Sequence, residues 1–379
     1  MSKPEERWMR AKIGDLIRLE YGRSLVGATR SGEGYPVFGS SGLVGHNSMA
    51  LVDGPGIIVG RKGTVGALAW SPMHFWPIDT TYYVCWRNEK LVDRRWTYWL
   101  LSTLPLKRLD SSTGVPGLNR NDAYRISIPL PPIKEQRRIA RILDTAEEAI
   151  RSTELFIAKL EQAKQGLLHN FLTRGTDSWA VTSVGSVGEV LLGRQRSPQH
   201  QKGRFLVPYL RVANVFDGFI DYSDILRMNF TPREQEIYGL KNGDLLLNEG
   251  QSLELVGRCA IYEGRPDLHC FQNTLVRYRC SESLIPKFAY LTFKRWLILG
   301  RFMQVAKKTT SMAHLGASRF AAMSMAVPSL EEQRTIVAIF DSCECRIELE
   351  RYQLAKQKLM KQGLMDDLLT GRVRAGVSG

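Results

Sequence analysis

No stretch of the 379-residue sequence approaches the ~20 consecutive apolar residues that a membrane-spanning helix needs. The opening Met1-Ser-Lys-Pro-Glu-Glu-Arg-Trp8 also lacks the apolar core of a secretory signal. Six cysteines are present, at 85, 259, 270, 280, 343 and 345, but none forms a C-x-x-C pair or a disulfide-like spacing. Reduced thiols, a cytoplasmic location and no membrane partner are the expectation. Signatures of catalysis are missing too. There is no G-x-x-x-x-G-K-[ST] phosphate loop, no G-x-G-x-x-G opening a helix after a strand, and no Asn-Pro-Pro-[Tyr/Phe] segment of the kind that methylates flipped bases. No glutamate is followed two residues later by lysine, as in a common metal-dependent nuclease motif, and the six histidines, with His269 beside Cys270, show no zinc spacing. No catalytic residue, metal or cofactor is therefore expected on this chain, and a self-contained nuclease or methyltransferase is disfavoured.

Acidic charge is in short supply. Lys and Arg number 52 against 38 Asp and Glu, a formal charge of +14, which favours a polyanionic partner and nucleic acid first. Residues 1–175 hold 25 basic and 17 acidic side chains and the remainder 27 and 21, so neither half is a basic tail. Apolar residues at 44% and charged residues at 24% are ordinary for a globular protein, and the length suggests two or three domains.

The most informative feature is a repeat. Pro131-Pro-Ile-Lys-Glu-Gln-Arg-Arg-Ile-Ala-Arg-Ile-Leu-Asp144 returns as Pro328-Ser-Leu-Glu-Glu-Gln-Arg-Thr-Ile-Val-Ala-Ile-Phe-Asp341, an offset of 197, and 17 of the 43 positions from 131 to 173 are identical. Both copies read as long helices that begin after proline. Ile139, Leu143, Ala146, Ile150, Thr153, Ile157, Leu160, Lys164, Leu167 and Phe171 step by three and four, the seam of a coiled coil. Its counterpart is Ile336, Phe340, Cys343, Ile347, Glu350, Leu354, Gln357, Lys361, Leu364 and Leu368. Two such stripes in one chain are expected to bury each other as antiparallel rods. Gly166 and Gly363 share one position and each costs about 1 kcal/mol in a helix interior, which suggests close backbone approach or a local break.

A fainter repeat precedes the helices: Trp8, Ile13-Gly14-Asp15-Leu16 and Gly22-Arg23 align with Trp179, Val184-Gly185-Ser186-Val187 and Gly193-Arg194 at an offset of 171. The second globular segment therefore carries 26 more residues than the first. Short β-branched or aromatic runs at 56–60, 82–86, 244–248 and 274–278 read as strands, with helices near 94–104 and 286–299. The fold class is α+β. The boundaries read 1–130 and 176–327 for two strand-rich segments, 131–175 for the first helix, and 328–379 for the second helix with its tail.

Loops in both segments carry groups suited to base edges and phosphates. Phe38-Gly-Ser-Ser-Gly-Leu-Val-Gly45 supplies Ser40 and Ser41, and Gly60-Arg-Lys-Gly-Thr-Val-Gly66 supplies Arg61, Lys62 and Thr64, with a cation placed to pair with guanine. Asn119 and Arg120 precede the first long helix. The second segment adds Arg194, Arg211, Asn214, Asn248, Gln251 and Asn273, and Lys307, Lys308, Thr310 and Ser311 precede the second helix. All are candidate DNA contacts, each of them also compatible with ordinary turn or cross-strand hydrogen bonding.

With the two helices placed, the chain resembles a specificity subunit of a type I DNA restriction-modification system. The resemblance rests on Ile128-Pro-Leu-Pro-Pro-Ile-Lys-Glu-Gln-Arg137 with Val327-Pro-Ser-Leu-Glu-Glu-Gln-Arg334, and on the endings Phe171-Leu172-Thr173 and Leu368-Leu369-Thr370. The second segment is similar to one type of target recognition domain through Pro208-Tyr-Leu-Arg-Val-Ala-Asn-Val215, Gly243-Asp-Leu-Leu-Leu-Asn-Glu-Gly250 and Phe271-Gln-Asn273. The first is similar to another through Pro36-Val-Phe-Gly-Ser-Ser-Gly42, Arg61-Lys-Gly-Thr-Val-Gly66 and Trp76-Pro-Ile-Asp-Thr-Thr-Tyr82. The resemblance implies two target recognition domains that read different halves of a bipartite double-stranded DNA target. It further implies helices acting as a ruler, and a non-catalytic role beside modification and restriction subunits that hold S-adenosylmethionine, magnesium and ATP. A coiled-coil assembly scaffold that reads no sequence is the alternative; it differs in predicting sequence-blind DNA binding.

Overall fold

Ile17-Arg-Leu-Glu-Tyr21 alternates, and in the computed structural model it is a strand that buries Ile17 and Leu19 while Arg18 faces out. Gly56-Ile-Ile-Val-Gly60 is apolar throughout and is buried along its whole length, as a strand paired on both edges should be. The structure describes residues 8–27, 30–109, 117–174, 179–264, 268–309 and 312–375. They divide into two compact units, one formed by residues 1–155 and 351–379 and the other by 156–350.

In the first unit a four-stranded antiparallel sheet has the order Ile17–Tyr21, Thr81–Trp86, Gly56–Gly60, Leu68–Ser71. A three-stranded sheet sets Tyr35–Gly39 antiparallel to Gly42–Asn47 and parallel to Trp76–Pro77, and Met9–Lys12 pairs with Ser127–Leu130. The second unit repeats this plan. Its four-stranded sheet runs Gly188–Leu192, Leu275–Cys280, Leu245–Asn248, Cys259–Ile261, again antiparallel. Leu206–Leu210 lies antiparallel to Leu226–Asn229 and parallel to Cys270–Phe271, and Ala180–Ser183 pairs with Ser324–Val327. The expected strands and the helices Arg94–Thr103 and Pro286–Ile298 are all present. An α+β protein with an internal structural repeat is the result. Among the described residues, the second unit adds the helix Pro232–Tyr238 and a small sheet ordered Gly250–Gln251, Ala313–His314, Lys307–Lys308, where the first has a single bridge between Lys62 and Gly117.

The two long helices are Ile133–Arg174 and Leu330–Leu368. Within the first unit Ile139, Leu143, Met365, Leu368 and Leu369 share one core, and Glu147 and Glu154 pair with Lys361 and Lys358 at 2.5 and 2.7 Å. Partners rise along one helix as they fall along the other, so the segments are antiparallel there. Within the second unit Leu168, Ile336 and Phe340 share a core, Lys164 meets Glu344 at 2.6 Å, and Arg346 lies over Phe156. The order is antiparallel again. Burying an Ile or Leu contributes about 1.5–3 kcal/mol, whereas a half-exposed ion pair contributes about 1 kcal/mol or less. The seam therefore supplies the adhesion and the charges select direction.

The Glu-Gln-Arg openings have a structural role. Gln136 is fully buried; its Oε1 accepts from the N–H of Asp93 (2.8 Å) and its Nε2 donates to the carbonyls of Leu91 (2.9 Å) and Pro131 (2.8 Å). Gln333 repeats this with the N–H of Ile285 (2.8 Å) and the carbonyls of Ser283 (2.9 Å) and Pro328 (3.0 Å). Asp93 and Ile285 are the N-caps of the helices Arg94–Thr103 and Pro286–Ile298, so each glutamine fastens a domain helix to the start of a long one. The preceding glutamate does matching work: Trp8 Nε1 donates to Glu135 (2.8 Å) and Trp179 Nε1 to Glu332 (3.1 Å). Glu135 also takes both Nε and Nη2 of Arg374 and the N–H of Ala375.

Gly166 and Gly363 differ from the sequence expectation. Both sit on exposed faces of unbroken helices, and nothing among the described residues lies within 4 Å of the place a Cβ would take. Gly166→Ala and Gly363→Ala are each expected to stabilise the protein by about 0.5–1 kcal/mol, read as a higher midpoint in denaturant unfolding. Burial pushes the Glu135 carboxyl up, but hydrogen bonds from Arg374, Trp8 and Ala375 outweigh it and hold the group below its usual 4.5. The folded value being the lower one, this stabilisation is complete above the unfolded value and is lost as pH falls through the folded one. Glu135→Gln should lower stability near pH 7 by about 1–3 kcal/mol and flatten the decline between about pH 5 and 3, measured by urea unfolding across pH.

Candidate nucleic-acid interface

In the first unit the chain leaves the central strand Gly56–Gly60 into a loop fastened on both sides. The N–H groups of Arg61 and Lys62 donate to the carbonyl of Thr80 (2.9 and 3.1 Å), and the Arg61 carbonyl accepts from Leu118 (2.9 Å). Gly66 has φ +72°, and a Cβ there would fall 2.9 Å from Leu106, so the loop closes only with glycine. The Arg61 guanidinium donates through Nε and Nη2 to the Asp79 carbonyl (3.1 and 2.6 Å) and lies 5.2 Å from the Tyr21 ring. Arg120 approaches the same ring at 5.0 Å and donates to the Leu19 carbonyl. Burial and the neighbouring Tyr21 hydroxyl push Tyr82 up to about 12, so it stays neutral under Arg61. The Ser40 hydroxyl oxygen lies 3.2 Å from where a Cβ on Gly63 would stand, and Ser41, Lys62 and Thr64 are exposed. Asn119 is occupied as a helix cap, accepting from Asn121 N–H (3.0 Å). Arg61 and Arg120 thus meet over half-exposed Tyr21, with Ser40 next to the 60–66 loop at Gly63 and Asn119 next to Arg120 in sequence.

In the second unit several candidates turn out to shape the fold. Asn214 is buried, 2% exposed. Its Nδ2 donates to the carbonyls of Asp221 and Asp224 (both 3.0 Å) and its Oδ1 accepts from Arg211 N–H (3.1 Å). Asn248 is fully buried inside a strand, with Nδ2 toward the Val215 carbonyl (3.4 Å) and Oδ1 unpartnered among the described residues. Neither is presented at the surface as a base-reading amide must be, because the short strands and loops of this unit spend amides on their own backbone. Arg194 pairs with Glu234 (2.7 Å) and donates to the Asn229 carbonyl. Burial raises Glu234, yet hydrogen bonds from Thr231 and the charge of Arg194 keep it below the usual carboxylate range. Arg211 is ion-paired to the exposed Asp224. Gln251 is half-buried and accepts from Ser252 N–H; Asn273 is half-buried and its N–H donates to the Arg194 carbonyl (3.0 Å). Lys307 and Lys308 are exposed on the strand paired with Ala313–His314. Thr310 and Ser311 lie outside the described residues.

Glu249, His314 and Tyr21 belong to these clusters and were not selected from the sequence. Glu249 Oε2 is 3.0 Å from His314 Nδ1, and the Glu249 backbone bonds Thr274 and Leu315. An acidic side chain in a basic protein draws no notice by type. A usable signal was its place directly after an apolar strand run, the place Arg61 holds in the first segment.

Among the described residues no group of three or more His, Cys, Asp or Glu could hold a metal ion, and no helix is long and apolar enough to cross a membrane. The family model described as the type I restriction modification DNA specificity domain matches residues 5–162 and 176–357. The chain belongs to that family. Among relatives, this specificity-family chain is 23% identical over 362 residues to the type I restriction enzyme MjaVIII specificity subunit of Methanocaldococcus jannaschii, covering 88% of this chain and 80% of that one. It is 25% identical over 298 residues to the type I restriction enzyme EcoKI specificity subunit of Escherichia coli K12, covering 73% of this chain and 64% of that one. The fold matches a type I restriction-modification S subunit from M. genitalium with a TM-score of 0.61 at 14% identity, over 97% of each chain.

The burial of Asn214 gives a direct check. Asn214→Ala strands two carbonyls and one N–H and is expected to cost about 2–3 kcal/mol, lowering the thermal midpoint, whereas Lys307→Ala and Lys308→Ala should leave it within experimental scatter.

Proposed function

We propose that residues 1–130 and 176–327 of this specificity-family chain are two target recognition domains, each reading one half of a bipartite DNA target. The segments 131–175 and 328–379 are then helical spacers, coiled together, that set the number of unread base pairs and dock modification subunits. The observation that carries the reading is the frame built twice, strand for strand, with different loop chemistry on each copy. Identical frames with identical loops would bind symmetric sites; unlike loops suit unlike half-sites. Exposed Lys62, Lys307 and Lys308 supply sequence-blind phosphate affinity, while edge contacts discriminate. In this reading the chain works in the cytoplasm, S-adenosylmethionine, magnesium and ATP are held by the modification and restriction subunits, and this chain supplies recognition alone.

Mapping methylated adenines across the genome of a host carrying the chain and its partner subunits tests the proposal. A two-part motif with a fixed gap is expected; methylation without sequence preference would overturn it. Deleting one heptad, Ile150 to Phe156, should change the gap or abolish activity while leaving the identity of both half-sites intact. Each of Lys62→Ala, Lys307→Ala and Lys308→Ala should weaken binding on all sequences alike and reduce the log–log salt slope by about one, measured by titration at several salt concentrations.

A further inference from the structure

The two units place opposite charges at one backbone position. Arg61 N–H donates to the Thr80 carbonyl and the Arg61 carbonyl accepts from Leu118 (both 2.9 Å); Glu249 N–H donates to the Thr274 carbonyl (2.9 Å) and the Glu249 carbonyl accepts from Leu315 (2.8 Å). Both residues directly follow corresponding inner strands of the four-stranded sheets, Gly56–Gly60 and Leu245–Asn248, and both carbonyls accept from the residue two before a short helix, Arg120–Arg125 or Ala317–Ala321. Their offset is 188, between the 171 and 197 of the sequence repeats, so neither repeat register aligns them. Hydrogen bonding does.

At this shared place the first unit presents a guanidinium on tyrosine and the second a carboxylate on histidine. The Glu249 side chain is 15% exposed and the His314 side chain 40% exposed. In the same unit Asp244 is answered by Arg279, Glu189 by Arg277 and Glu234 by Arg194, while Asp217 and Glu344 pair with lysines. The side-chain partner of Glu249 among the described residues is His314, a single contact through Nδ1 without the bidentate fork that would consume both oxygens. Exposed Lys307 and Lys308 are on the strand paired with His314, and Gln251 is on the strand at its other edge. A carboxylate among cations that attract phosphate weakens general affinity, and it gains only where the ligand offers an amino hydrogen. In the major groove that group is N4 of cytosine or N6 of adenine.

We propose that Glu249, oriented by His314, is a base-selecting side chain of the second recognition domain and accepts a hydrogen bond from the exocyclic amino group of a cytosine or adenine. Arg61, at the matching position of the first domain, donates to a guanine edge; Nε and Nη2 are engaged by Asp79, and a guanidinium carries five N–H donors. The inference rests on the DNA-recognition reading above and goes beyond it by naming the position that makes the two half-sites differ.

The test uses the full chain assembled with its modification subunits on a randomised DNA pool, with methylated adenines read by sequencing. Glu249→Gln is expected to relax discrimination by about 10- to 100-fold at one position of one half-site and to leave the other half-site unchanged. The wild-type base on the contacted strand at that position distinguishes cytosine from adenine. His314→Ala should relax the same position and no other, as a positioning residue would. Arg61→Lys should relax one position in the opposite half-site, and it carries the claim through the other unit should Glu249→Gln melt early. An unchanged motif at wild-type turnover, or equal loss on every sequence, would overturn the assignment. A wild-type complex that methylates without sequence preference would instead sink the underlying DNA-recognition reading, a result separable from any effect of Glu249.

Discussion

One buried glutamine at the foot of each long helix is the contact on which the rest of the architecture depends. Gln136 and Gln333 each satisfy a helix N-cap and two carbonyls that no regular secondary structure would reach. Leaving such groups unmet costs about 1–3 kcal/mol apiece, which exceeds what helix propensity contributes at one residue. A hydrophobic residue could fill the volume but would not fix direction, because apolar contact is non-directional. The amide therefore acts as a register pin: within each unit it sets where the domain helix begins against the long helix. The neighbouring glutamate, held by Trp8 or Trp179, pins the entering strand in the same way.

A frame pinned at its base leaves the loops at the other end of the inner strands free to vary. The two units keep the same strand order and the same backbone bonds around Arg61 and Glu249, yet differ in charge, loop length and added elements. Stability is invested in residues such as Ile57, Val59, Leu245 and Leu247, all buried, whereas the loop side chains that differ between the units, such as Lys62, Lys307 and Lys308, are exposed. Under the proposed reading, that division would let one fold serve two unlike half-sites.

Much of this was legible in the amino-acid sequence because it is periodic. The seam residues Ile139, Leu143, Ile150 and Ile157 are buried, as are Ile336, Phe340, Ile347 and Leu368, since a three-and-four spacing admits one inward face. What was not legible depends on tertiary context. Gly166 and Gly363 share a position in the repeat, but a Cβ at either would meet nothing among the described residues, so a shared glycine did not report a close approach. Asn214 and Asn248 have the chemistry of adenine readers and the burial of structural residues, a distinction made only by the backbone folded around them. Glu249 was passed over because net charge favours cations, and its place beside the small sheet that carries Lys307 and Lys308 depends on the fold. Arg61 and Arg120, by contrast, do converge over Tyr21, because a strand end and the start of a short helix bring them there.

Hydrogen exchange at single amides tests the pin most directly. The N–H groups of Asp93 and Ile285 donate to Gln136 and Gln333, and are expected to exchange among the slowest non-helical amides of their units. Gln136→Leu should accelerate exchange at Asp93 and leave Ile285 unchanged, with Gln333→Leu doing the reverse. Fast exchange at both amides in the wild-type protein, or no change on removing the side-chain amide, would contradict the account.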